Sequence, residues 1–205
     1  MNTYAEMPQQ WSENVIVVDA DYVDSVAFDL VVNFERMIGR HIPAADLPRW
    51  IDCIALDGGM KPSQSGEESK AETMVVMVND GRSERLENFA PSHLAKEING
   101  QAFTDNLGEF TFSVVSHEGM ATKAEMIADI AAMAVAQNEV RRLMIVPNAD
   151  DAATLDLLRS TLRKADDDKR VTIFAMQPIA GGNFRQEILG YSLMSALGIR
   201  ADEIK

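Results

Sequence analysis

The chain of 205 residues has one cysteine, Cys53, and three histidines, His41, His93 and His117. A single cysteine excludes an internal disulfide and a multi-cysteine zinc site, and histidines this far apart argue against a His-rich metal motif. Long apolar runs are missing too, since none approaches the roughly 18 consecutive residues of a membrane span. Met1-Asn2-Thr3-Tyr4-Ala5-Glu6 shows no basic segment followed by an apolar stretch, so no secretory signal is expected and a reducing cytoplasm is the expected location. Basic residues are scarce: 19 Lys+Arg against 32 Asp+Glu give a net charge of −13, spread over both halves of the chain. That balance disfavours RNA and anionic membranes as partners.

What is present is ordinary for a globular protein. With 46% hydrophobic residues, 25% charged, 12 Gly and 7 Pro, the chain is neither disordered nor low in complexity, and no internal repeat is visible. Its length suits a single domain over residues 1–205, with a polar lead-in at 1–13 and a flexible, turn-rich loop at 61–72.

Asn14-Val15-Ile16-Val17-Val18-Asp19 reads as a strand buried on both faces. Asp24-Ser25 then offers a cap for a helix whose apolar stripe is Val26, Leu30, Val31, Phe34, Met37 and Ile38, with Gly39 as its stop. Residues 43–57 are compatible with helix or strand, and helical spacing of Leu47, Trp50, Ile51 and Ile54 favours a helix closed by Gly58-Gly59. Four further strands are expected at 73–78, 109–115, 141–146 and 171–176. Helices are expected at 91–99, at 122–138 with Thr122 and Glu125 in capping-box register, from the fourth strand to about 164, and at 183–196. The fold class is therefore α/β, a three-layer α/β/α arrangement around a mostly parallel five-stranded sheet.

An open parallel sheet binds ligands beyond the carboxyl ends of its strands. The acids expected there are Asp19 and Asp21 after the first strand, and Asp150 and Asp151 after the fourth. Glu125 and Asp129 share a face of the long helix. Carboxylates converging on one point repel unless a cation or proton neutralises them, and a hard cation such as Mg²⁺ takes oxygen ligands. Such an ion can activate water and neutralise phosphoryl charge. Each acid also has a plainer role: Asp24 and Asp151 as helix caps, Glu125 as a capping-box member, Asp129 as a polar position at a helix edge.

In the order of these elements, Val15 to Asp21, Glu125 to Asp129, Leu143 to Asp151 and Val171 to Met176, the chain resembles the NYN branch of the PIN-like nucleases. The resemblance covers most of residues 14–176 and is architectural. It implies a Mg²⁺- or Mn²⁺-dependent ribonuclease with Asp19, Asp129 and Asp151 as its catalytic acids, and Asp21, Glu125 and Asp150 as further metal ligands. The wording departs from the family at two points. Pro147-Asn148-Ala149-Asp150-Asp151 stands where Ser-Gly-Asp-Ser-Asp is usual, and Lys123-Ala124-Glu125-Met126 where Lys-Gly-Val-Asp is usual. A second reading keeps the fold without catalysis, as a regulatory or interaction module associating through an apolar face, for instance as a homo-oligomer. A third is a Rossmann-like small-ligand protein.

Other motifs carry plainer readings. Gly58-Gly59 and Gly181-Gly182 are too sparse for a phosphate loop. Cys53 reads as a small core residue, His117 as an exposed loop residue, and Trp11 and Trp50 as packing residues. Arg141-Arg142 and the group Arg159, Arg163, Lys164, Lys169 and Arg170 are the only basic concentrations. With Asp166-Asp167-Asp168 adjacent, local ion pairing is the expected reading and an RNA-binding stripe the alternative.

Overall fold

The computed structural model describes residues 10–63, 71–116, 119 and 121–204. The elements in chain order are β1 (Asn14–Asp19), α1 (Ala20–Ile38), β2 (Ala45–Asp46), α2 (Leu47–Asp57), β3 (Glu72–Asn79), β4 (Phe89–Ala90), β5 (Ala102–Asp105), β6 (Gly108–Ser116), α3 (Lys123–Ala136), β7 (Arg142–Val146), α4 (Ala152–Leu162), β8 (Arg170–Ala175), β9 (Arg185–Ile188) and α5 (Leu189–Ala196). The main sheet runs β5-β6-β3-β1-β7-β8-β9. All its pairings are parallel except β5 with β6, which is antiparallel.

The α/β class expected from sequence is present, but the sheet has seven strands instead of five. The two unexpected strands, β5 and β9, are short edge strands whose residues alternate between exposed and half-buried, so neither presents an apolar run. β5 joins β6 through a tight hairpin at Asn106-Leu107, followed by Gly108 at φ 129°. A Cβ on Gly108 would run into the Ala71 carbonyl, which also accepts from Glu109 N at 2.9 Å. β9 occupies the first part of the segment expected to be the closing helix, which is confined to α5. The helix expected at 91–99 reduces to a π-helical turn at Leu94–Ile98, after the pairing of β2 with β4. α1 starts a turn earlier than expected, at Ala20, because Asp19 caps it directly and Asp24 lies inside it.

Strand periodicity divides the core. Ile16, Val18, Val75, Met77, Met144 and Val146 face α1, α2 and α5, whereas Val15, Val17, Val76, Val78, Leu143 and Ile145 face α3 and α4. Successive side chains of a strand point to opposite faces, so each central strand feeds both layers. Trp50 is fully buried in the first layer, and Trp11 packs at the edge of the second. From β1 the sheet grows one way through β3 and β6, and from β7 the other way through β8 and β9. The carboxyl ends of β1 and β7 therefore flank the switch point, the place where such sheets bind ligands.

Of the loop expected at 61–72, residues 64–70 lie outside the described residues, as does His117.

Candidate functional site

The site at the switch point starts from a junction with no connecting loop. Asp19 is the last residue of β1 and the N-cap of α1, and its Oδ1 accepts from Tyr22 N at 3.0 Å. A carboxylate caps well because it accepts one of the orphan N–H groups of the first turn and complements the helix dipole. Asp21 lies in that first turn. Both acids converge on one cation: Lys123 Nζ, on the first residue of α3, is 2.6 Å from Asp19 Oδ1 and 2.7 Å from Asp21 Oδ2. Asp21 Oδ2 also accepts Asp80 N at 2.8 Å, just beyond β3, and so ties the ends of three elements together.

Asp19 is 3% exposed. Burial raises its pKa above the ordinary value, while the hydrogen bond and charge of Lys123 pull it back down. For Lys123, burial acts to lower the pKa, but the two carboxylates prevail and it lies above its ordinary value. The ammonium is thus held charged by its two acids.

Two neutral groups complete the edge. The Tyr22 hydroxyl is buried, and burial first, then the charge of the facing Asp150 and a hydrogen bond with it, then the Asp19 charge, raise its pKa. Asn79 Nδ2 donates to Ser83 O at 3.1 Å, leaving Asn79 Oδ1 buried without a partner among the described residues. On α1, Asp24 accepts Asn88 N at 2.8 Å and Glu87 N at 3.1 Å. Its role is to hold the 80–88 segment to α1, not to cap the helix.

The six acids expected at the site divide. Asp19 and Asp21 meet through Lys123, and Asp150 joins them beside Tyr22. Asp151 caps α4, accepting Ala153 N at 3.2 Å, Thr154 N at 3.1 Å and Thr154 Oγ1 at 2.6 Å, bonds that lower its pKa, the Thr154 hydroxyl most. Glu125 closes the capping box of α3, accepting Thr122 N at 2.6 Å while Glu125 N donates to Thr122 Oγ1 at 3.2 Å. Asp129 is exposed, off the buried stripe of Ile127, Ile130 and Ala134 that continues from Lys123. Among the described residues, no group of three or more His, Cys, Asp or Glu is arranged to hold a metal ion.

Lys123, Tyr22 and Asn79 were not anticipated as site residues. A signal for Lys123 existed: a lone cation directly after a helix cap, heading a largely apolar helix that packs on β1.

A family model matches residues 8–204, nearly the whole chain. The chain belongs to DUF6621, a family of unknown function. No curated protein and no solved structure matches it. In this DUF6621 domain no helix among the described residues is long and apolar enough to cross a membrane. Its switch point carries two aspartates bridged by an internal ammonium.

Proposed function

We propose that this DUF6621 domain is a non-catalytic, PIN-like interaction module in which Lys123 neutralises the carboxylates that a nuclease of that kind would present to a divalent cation. The observation that carries the reading is the 2.6 and 2.7 Å pairing of Lys123 Nζ with Asp19 and Asp21. An ammonium at that point removes the repulsion that would otherwise recruit a metal. The acids present do not fit a divalent ion while Lys123 lies between them, and Glu125 and Asp151 are committed to helix caps. Phe28 and Val32, one turn apart on α1 and 55% and 37% exposed, supply apolar surface for association.

The test pairs thermal unfolding in Mg²⁺ or Mn²⁺ with incubation of single-stranded RNA. The wild type is expected to show no cation-dependent shift and no cleavage. Cleavage in Mn²⁺ that Asp19→Asn abolishes would sink the proposal and restore the metal-dependent ribonuclease.

A further inference from the structure

The opposite end of the sheet, at the amino ends of its central strands, carries a second polar constellation. Strand register aligns Thr73, Asn14, Arg142 and Arg170 in one row across β3, β1, β7 and β8. Register partners in parallel strands point to the same face, here the face covered by α1, α2 and α5. Two arginines are therefore neighbours at the amino ends of adjacent strands. The row lies roughly 16 Å from Asp19, the length of β1 at about 3.3 Å per residue.

Arg142 is held rigidly. Its Nε donates to Gly58 O at 3.0 Å, its Nη1 to Asn14 Oδ1 at 2.8 Å and its Nη2 to Gly59 O at 3.0 Å. A guanidinium has five N–H donors, so each Nη keeps one with no partner among the described residues. Every partner is a neutral oxygen, and neither Arg142 nor Arg170 makes an ion pair among the described residues, whereas Arg141 pairs with Asp168 and Arg159 with Asp156. Burial and the adjacent Arg170 hold the Arg142 pKa below its ordinary value. In a chain of net charge −13, two neighbouring guanidiniums that make no ion pair among the described residues, with Glu13 as the carboxylate acting on Arg142, keep a net positive charge.

The two arginines border a cavity of about 330 Å³, whose lining also includes Lys61, Glu13, Asn14 and Met60. Among the described residues that line it, three cations against one carboxylate leave a surplus of two positive charges, which matches a dianion better than a monoanion. We infer that this cavity binds the phosphate group of a small molecule, gripped between Arg142 and Arg170 with Lys61 as a third contact. Arg142 supplies a pre-set fork, and Arg170 and Lys61 supply charge.

The test is an NMR titration with inorganic phosphate, following the Arg142 Nε–H and Gly59 amide signals, with acetate and chloride at matched ionic strength as comparison arms. Phosphate is expected to shift these signals saturably, and Arg170→Gln and Lys61→Gln to raise the apparent Kd by about tenfold each. Both variants alter side chains at the rim of the cavity, and their melting temperatures without phosphate verify folding. If Arg170→Gln does not fold, Lys61→Gln on the loop after α2 decides the matter alone. No saturable shift, equal binding of acetate, or unchanged affinity in the folded variants overturns the assignment.

Discussion

Lys123 Nζ lies 2.6 Å from Asp19 Oδ1, and the carboxylate side chain is only 4% exposed. Removing the cation leaves a buried charge without its partner, the costly half of breaking a buried ion pair. Lys123→Met is expected to destabilise the fold by about 3–5 kcal/mol at neutral pH. In that variant the folded-state pKa of Asp19 rises further above its unfolded value. Its contribution is then fully present below the unfolded pKa and lost as pH rises through the folded one, so the deficit should shrink on acidification. Urea unfolding at pH 5 and pH 7 measures this, and Asp19→Asn in the Lys123→Met background should recover much of the loss. An equal deficit at both pH values would contradict it.

Asp52, on α2, provides a separate pH dependence. Its Oδ1 is buried without a hydrogen-bond partner among the described residues, and burial, followed by the nearby Asp105 and Asp46 carboxylates, pushes its pKa up to about 7. Because the folded pKa is raised from 3.8, the folded state holds a proton that the unfolded state releases. Stability from this group is full below pH 3.8 and lost as pH rises through about 7. Asp52→Asn, neutral at every pH, is expected to raise the melting temperature at pH 8 and change it little at pH 4. A uniform shift at both would refute the protonation.

The two acids committed to caps should behave as caps. Asp151→Ala, which removes the N-cap of α4, and Glu125→Ala, which removes the capping-box partner of Thr122, are each expected to lower stability. Denaturation with and without Mg²⁺ should give the same penalty. A penalty that appears only with the cation would make these carboxylates metal ligands instead.

In the core, Trp50 Nε1 donates to Ser192 Oγ at 3.1 Å, linking α2 to α5. Ser192→Ala leaves a buried indole N–H unsatisfied, an expected cost of about 1–3 kcal/mol. Trp50→Ala, which also opens a cavity, should cost about 3–5 kcal/mol. Chemical denaturation of the two variants should preserve that order.

Central elements were legible because burial imposes a pattern. β1, β3 and β7 are apolar runs, since both of their faces are covered, and the Thr122/Glu125 box marks the start of α3. Edge strands were not, because Ala102–Asp105 and Arg185–Ile188 satisfy only one neighbour and need no continuous apolar stretch. At the site, Asp19 and Asp21 were legible because strand ends point where the sheet places ligands. Their partner was hidden by distance: Lys123 is 102 residues from Asp21 and meets it only through the crossing of α3. The row of Arg142 and Arg170 was equally opaque, because adjacency of those residues depends on the register of β7 with β8.

The junction at Asp19 has a mechanical consequence. Since one residue ends the strand and opens the helix, there is no slack between the sheet and the 19-residue α1. α1 is a lever with its fulcrum at that carboxylate, and through Asp21 and Asp24 it carries the 80–88 segment along with it. A displacement of α1 along its axis would therefore be passed by Asp19 and Asp21 directly to the Lys123 contact.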